Sequence, residues 1–570
     1  MAPRPLLLLL LLLATACAQD PEPLADAGPS PSPDLGLADS GDPGPDAGLP
    51  DLGEPDLGIG ADAGTCVPPA PTGPGQVLTA QGTYQAVQQG TTWAFLGIPF
   101  AAPPTGDRRL RAPEPPLCEP ALHVADSPGP ACPQLNPGGE PTGEEDCLQL
   151  NVWIPQALPV TPMPVLVFIH GGGNNHGGNA NEVAGRVLAD GQALANYGQM
   201  VVTIKYRLGA LGFLAHPLLD AESGSSGNWA VRDQLAALSW VKQNASAFGA
   251  DPTRVVVFGE SAGGLDICAL YTSPLAEGLI QGAIIQSGGC AAASKATANQ
   301  NATELLEQLG CNTEADPLAC LRGKTPAEIL TAVPVEVDGL SNPPFGLSVD
   351  GVVLPKNPAI ALLAGEHLDV PVILGTNRDE TYRMLPPPNR VATEAAFEQF
   401  VRTFLALLPA AKVDAVLALY PVADYPSPHA ALVALTTDFR WGCPAREYLK
   451  GMAATGTAPL YRYYFTHNLD ITQAPGSGAA GAFHGIELFY LFNVLDLGGY
   501  VPTADDLVMA GAIQRYWSRF AATLDPNGGA DPAWPTFDPA TDSHLQLGVP
   551  IVSGTGVRTA QCDALQAILR

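Results

Sequence analysis

The stretch VVVFGESAGGLDICAL, residues 255–270, constrains the fold of this chain more than any other. An apolar, strand-like run meets Gly-Glu-Ser-Ala-Gly-Gly, and a helix-like pattern follows. A glycine-x-serine-x-glycine turn joins a strand to a helix so sharply that the serine backbone is strained and its hydroxyl stands exposed. Gly259 and Gly263 are needed because side chains there would clash. The helix that follows points its free N–H groups and positive dipole end at Ser261. A glycine-rich turn after a buried strand is common, so the motif alone is only moderately specific. PVLVFIHGGGNNHGGN, residues 164–179, narrows the choice. Here a second apolar strand ends in His170-Gly171-Gly172-Gly173, and consecutive glycines let unhindered backbone N–H groups face a carbonyl oxygen turning into an oxyanion, as acyl transfer requires.

A chain of 570 residues, 46% apolar and 15% charged, can bury a large core, as one large α/β domain or two smaller ones. Its first residues, MAPRPLLLLLLLLATACAQD, combine Arg4, a leucine run and small residues before Cys17, the pattern of a cleaved secretory signal over residues 1–16. LATAC also resembles the bacterial lipoprotein signal, in which the cysteine is acylated, although Ala14 stands where leucine is commonest; ordinary signal cleavage is the alternative. Residues 17–65 are dense in Pro, Gly and Asp and carry acidic charges only, so they read as a disordered tether, with the folded domain spanning 66–570. The expected location is outside the cytoplasm, as an outer-membrane or cell-surface lipoprotein tethered through Cys17, otherwise secreted. The formal net charge of −29 argues against nucleic acid as a partner and reads as a solvated surface.

Eleven cysteines in an exported chain point to disulfides. Spacing alone leaves the connectivity open, though Cys132 with Cys147 and Cys311 with Cys320 would close short loops. No Cys-x-x-Cys pair or Cys/His cluster suggests zinc, and no metal is expected.

Several segments besides the two glycine motifs carry a resemblance: FLGIPFAAPPTGDRRLRAPEPP near the start, EEDCLQLNVWIP at 144–155, GNWAVRDQLAALSWVKQNASAFGADPTRVVVFGESAGG at 227–264, GTNRDE at 375–380, AFHGIELFYLF at 482–492 and WSRFAATLDPNG at 517–528. In this order they make the chain similar to the type-B carboxylesterase and cholinesterase family from about residue 76 onward. The resemblance implies an α/β-hydrolase fold, with a mostly parallel central sheet flanked by helices.

A serine nucleophile needs a base and an orienting acid. In this fold both follow the serine in the chain. His367, His429, His467, His484 and His544 qualify by position. His484 sits in a Gly- and Ala-rich loop after the strand-like PLYRYYFTH and matches the family's catalytic histidine; His467, at the strand end, is the runner-up. For the acid, VPVILGTNRDE leaves Asp379 and Glu380 nearly even on their own chemistry, and the resemblance selects Glu380, with Thr381 where the family usually has glycine. The resemblance likewise makes the N–H groups of Gly172, Gly173 and Ala262 the oxyanion hole. His170 reads as a prop of the glycine loop, while Glu260 either tunes the histidine or satisfies buried polar groups.

By the same resemblance Cys132 pairs with Cys147, Cys311 with Cys320 and Cys443 with Cys562. Cys66, Cys118, Cys268 and Cys290 have no counterparts, which leaves room for one or two further bridges. Cholinesterases carry a tryptophan in the loop closed by the first pair, where its ring holds a quaternary ammonium. Here that loop reads CPQLNPGGEPTGEEDC, with no aromatic residue, which argues against choline esters. Asn174 replaces the family's usual aromatic after the glycines, predicting a more polar or open pocket rim. The expectation is a cofactor-free serine hydrolase cleaving small carboxylic esters through an acyl-enzyme, with no protein partner. Rivals are a lipase for longer-chain esters, for which no segment announces a lid, and a non-catalytic adhesion module of the same fold, in which the nucleophile would be replaced.

Overall fold

The computed structural model describes residues 67–333, 343–474 and 479–569. The signal and tether readings, with Cys17 and Cys66, lie outside them.

The apolar runs named above become the centre of a 13-stranded sheet. Across the sheet the strands run Gln76–Leu78, Thr83–Gln89, Thr92–Pro99, Gln149–Pro155, Met200–Ile204, Met163–Ile169, Ala250–Glu260, Gly282–Gln286, Val372–Asn377, Leu460–Phe465, His544–Leu547 and Val552–Gly554, with Leu122–Ala125 paired to Thr83–Gln89. From Met200–Ile204 to His544–Leu547 every neighbouring pair is parallel; the flanking pairs among these twelve are antiparallel. Met163–Ile169, Met200–Ile204, Gly282–Gln286 and Val372–Asn377 are buried at every residue. A strand covered on both faces can be apolar throughout, which is why these read as continuous rather than alternating hydrophobic runs.

Side-chain alternation divides the core between the two faces. Val165, Val167 and Ile169 pack with Trp229, Leu238 and Ile267 on one side. Leu166 and Phe168 pack with Phe492, Ile513 and Trp517 on the other. The first side is covered by the helices Trp229–Asn244 and Ala262–Thr272, the second by Ala504–Thr523. A third cluster, including Phe397, Val401, Val416, Leu432 and Leu565, joins the helices Glu394–Phe404, Ala410–Leu419, Pro428–Thr437 and Thr559–Leu569.

All three expected disulfides form, and Cys268–Cys290 adds a fourth. It ties the helix after Ser261 to the loop after Gly282–Gln286. Cys118 is also disulfide-bonded. Among the described residues no helix is long and apolar enough to cross a membrane.

Helix Trp229–Asn244 is anchored by a buried ion pair. Asp233 accepts from Arg207 Nε at 2.8 Å, from its terminal nitrogen at 2.6 Å and from its backbone N–H at 3.1 Å. Burial pushes the Asp233 carboxyl up, and the Arg207 charge and hydrogen bonds oppose that shift. Removing one partner strands a buried charge, so Asp233→Ala is expected to lower the unfolding free energy by about 3–5 kcal/mol. Urea titration followed by tryptophan fluorescence checks this; an unchanged midpoint would contradict it.

Candidate active site

Ser261 lies between strand Ala250–Glu260 and helix Ala262–Thr272 at φ 58° and ψ −120°, a conformation that costs a non-glycine residue about 1–3 kcal/mol. Two backbone bonds hold it there: its N–H donates to Gln286 O at 2.9 Å and its carbonyl accepts from Leu265 N at 2.9 Å. The flanking glycines make the turn possible. A Cβ on Gly259 would stand 2.7 Å from the Ile169 carbonyl oxygen, and one on Gly263 only 2.0 Å from it. The helix is thereby pressed onto the end of the strand that feeds the glycine loop, and a Cβ on Gly171 would meet Ser261 Cβ at 3.1 Å.

Gly172 and Gly173 take positive φ values of 107° and 63°. A Cβ on Gly172 would fall 2.0 Å from His176 O. Among the described residues, the N–H groups of Gly172, Gly173 and Ala262 donate to no protein acceptor. His170 props the loop as expected: its Nδ1 donates to Gly171 O at 2.8 Å and its ring stacks on Tyr206. Burial pushes it down to about 4, so it stays neutral. Asn174 differs from expectation. It is 1% exposed, turned inward at φ 59°, and its amide donates to Asp266 Oδ1 at 2.8 Å. The polar side chain that replaces an aromatic is engaged inside the protein and adds nothing to the pocket rim.

The acid and base come from the next strand ends. Glu380, fully buried, opens a short 3-10 helix just beyond Val372–Asn377. Its Oε2 lies 2.6 Å from His484 Nδ1, while Oε1 accepts from Ser287 Oγ at 2.6 Å and from Asn377 N at 2.7 Å. Asp379 instead fixes the loop that carries His484, its carboxylate accepting from Ala482 N at 2.9 Å and pairing with Arg378. The other histidines are engaged elsewhere. His467 Nε2 lies 2.9 Å from Asp506, His367 and His429 bind backbone carbonyls, and His544 Nδ1 faces Asp542 O.

On its other edge the His484 ring meets Glu260, with Nε2 3.2 Å from Oε1. The indole of Trp441 lies 5.1 Å from the ring centroid. Glu487 accepts from Asn377 Nδ2 at 2.5 Å and from Gln286 Nε2 at 3.2 Å. Burial pushes Glu260 up to about 8 and Glu487 up to about 7. For His484, burial works against the charged ring, but the charges of Glu260 and Glu380 outweigh it and raise the imidazole to about 9. Ser287, Glu487 and Trp441 escaped the sequence reading. Ser287 could have been noticed, since it ends the apolar run GAIIQ as Ser261 ends VVVFGE; Glu487 and Trp441 carry no comparable signal. Among the described residues no His, Cys, Asp and Glu cluster is arranged to hold a metal ion.

A strained serine at a strand-to-helix turn, a buried Glu–His pair and a glycine loop thus meet at the carboxyl ends of parallel strands, where open α/β sheets bind ligands. Comparison with known proteins agrees. The family model described as "Carboxylesterase family" matches residues 72–565. Fumonisin B1 esterase of Sphingopyxis macrogoltabida is 34% identical over 86% of this chain and 89% of its own. Para-nitrobenzyl esterase of Bacillus subtilis is 33% identical over 83% of this chain and 94% of its own. A solved structure of a PNB esterase superposes with a TM-score of 0.74 at 31% identity, covering 86% of this chain and 100% of that one. The chain belongs to the carboxylesterase family and is a serine hydrolase of carboxylic esters with the α/β-hydrolase fold.

Proposed function

We propose that Ser261, His484 and Glu380 are the nucleophile, base and orienting acid of this esterase, and that the N–H groups of Gly172, Gly173 and Ala262 form its oxyanion hole. The observation that carries the reading is the 2.6 Å contact between Glu380 and His484 Nδ1 beside a serine held at φ 58°. That contact sets the Nδ1 proton toward Glu380, so that in the neutral ring Nε2, which faces Glu260, is the nitrogen that accepts a proton. In acylation His484 Nε2 takes the Ser261 proton as Oγ bonds to the ester carbonyl carbon, and the carbonyl oxygen becomes an oxyanion facing the three N–H donors. Collapse of the tetrahedral species breaks the carbon–alkoxy bond, and His484 returns its proton to the departing alcohol. Water then attacks the acyl-enzyme by the same route, releasing the carboxylic acid and restoring Ser261. No cofactor enters this sequence.

The substrate is a small-molecule carboxylic ester. Relatives named for esterase activity favour this over a lipase or an adhesion module. The disulfide-closed loop 132–147 has no aromatic residue to hold a quaternary ammonium, which argues against choline esters.

The assignments predict that Ser261→Ala abolishes both p-nitrophenyl ester turnover and fluorophosphonate labelling; undiminished hydrolysis would overturn the nucleophile. Glu380→Gln is expected to lower kcat by about 10³–10⁴, because a neutral amide presents the wrong partner to the imidazole. Asp379→Asn should lower it far less, and the opposite ranking would exchange their roles.

The base must be neutral to act, so activity is lost as pH falls through the His484 pKa. The facing carboxylates raise that pKa, and the acid limb of kcat/KM should lie above the range of a free imidazole. Glu260→Gln removes one facing charge and should move the limb down by about one pH unit. A limb that does not move would mean that Glu260 leaves the imidazolium unaffected.

Export as a lipoprotein belongs to the same proposal. Residues 1–16 are the signal, Cys17 is the acylated first residue, and the acidic 17–65 segment links it to the catalytic part of the chain. The four disulfides paired among the described residues are compatible with an oxidising compartment. Cys17→Ser should release the exported enzyme from the membrane fraction. An unmodified mature N-terminus in mass spectrometry would remove the anchor.

A further inference from the structure

The three oxyanion donors assigned above come from two separate segments: Gly172 and Gly173 from the glycine loop, Ala262 from the helix after the nucleophile. Their mutual spacing decides whether all three reach one oxygen, and a misplacement of about 1 Å at such a site can cost about 100-fold in rate. Something must hold the loop in register with the helix.

Asp266 lies on the helix Ala262–Thr272, five residues beyond Ser261, and is fully buried. Its Oδ1 accepts from Asn174 Nδ2 at 2.8 Å and its Oδ2 from Gln234 Nε2 at 2.6 Å. Among the described residues no cation pairs with it. A buried carboxyl served only by amides is unfavourable in its charged form, and burial pushes Asp266 up to about 7. On the loop side, Asn174 Oδ1 stands 3.1 Å from Tyr206 Oη, whose hydroxyl is 2.7 Å from His170 O. The Asn174 carbonyl accepts from Gly209 N at 2.7 Å. Residues on both sides of the triple glycine are therefore clamped, and the link from Asn174 to Asp266 joins the clamp to the nucleophile's own helix. The left-handed backbone at residue 174 suits asparagine, which tolerates φ near 59° better than an aromatic.

We propose that Asn174 and Asp266 form a latch that sets the glycine loop against the helix of Ser261, making both of them positioning residues for the oxyanion hole. This rests on the assignment of the hole given above. The latch acts on the transition state, where the oxyanion exists, and leaves ground-state binding of the ester nearly untouched.

Asn174→Gly keeps the left-handed backbone while deleting the latch, so kcat should fall about 10- to 100-fold with KM within about threefold. Affinity for a trifluoromethyl ketone, whose tetrahedral adduct carries the oxyanion, should fall by a similar factor. Asn174→Asp sets two carboxyls against each other and should be at least as damaging. Exchanging the partners, N174D with D266N, restores a donor and an acceptor across the same gap; Gln234 can still donate to residue 266 and Tyr206 to residue 174. The exchanged pair should recover kcat to within about fivefold of the parent. An Asn174→Gly variant with unchanged kcat, a loss confined to KM, or an exchanged pair no better than Asn174→Asp would each overturn the latch. Fluorophosphonate labelling of the parent chain separates the two readings: label on a serine other than Ser261 overturns the site assignment itself, whereas label on Ser261 with a kinetically silent Asn174→Gly overturns the latch alone.

Discussion

The close approach of Gly263 to the carbonyl of Ile169 governs the geometry of the site. Helix Ala262–Thr272 can lie this near the end of the neighbouring strand because neither Gly259 nor Gly263 has a Cβ, and the Cβ that Gly263 lacks would stand 2.0 Å from that carbonyl oxygen. The contact fixes where the helix begins and so where the Ala262 N–H points. It also brings that N–H to the segment in which Ile169 gives way to His170 and the glycines. The strain at Ser261 follows from the same constraint, since a strand and a helix packed this tightly leave a connecting residue only a left-handed backbone.

Around this contact the site gathers three buried carboxyl groups, those of Glu260, Glu380 and Glu487. Glu380 meets three partners, His484, Ser287 and Asn377, so its carboxylate is satisfied where it stands. Glu260 and Glu487 have fewer compensations and are pushed toward the neutral form. The histidine between Glu380 and Glu260 is the natural home for a positive charge. In the mechanism proposed above, Ser261 would hand its proton to this ring, and the facing carboxyls would stabilise the charge it then carries.

Much of this rests on placement by the scaffold rather than by the loops themselves. The four elements that deliver Ser261, the glycine loop, Glu380 and Ser287 leave adjacent parallel strands at the same end. Cys268–Cys290 ties helix Ala262–Thr272 to the loop after Ser287, and the Asp379 carboxylate binds Ala482 N to steady the loop of His484.

The sequence by itself determined the buried parallel strands, the serine turn and the glycine loop, because each rests on a local requirement: continuous apolar runs where both faces are covered, and glycines where a Cβ cannot fit. The family resemblance carried three disulfide pairings and preferred Glu380 over Asp379. Composition and spacing left that choice nearly even, and in the structure the Glu380 carboxylate turns inward to His484 while that of Asp379 binds the histidine's loop. The tertiary structure sets His484, which the family resemblance also preferred, against Glu380, and His467 against another acid, Asp506, elsewhere. Only the tertiary structure decided that Asn174 turns inward to Asp266 rather than outward to the pocket, and that Cys268 meets Cys290. These are contacts between residues 22 to 104 positions apart in the chain. No local pattern encodes them, because they depend on how strands and helices stack once the core has closed.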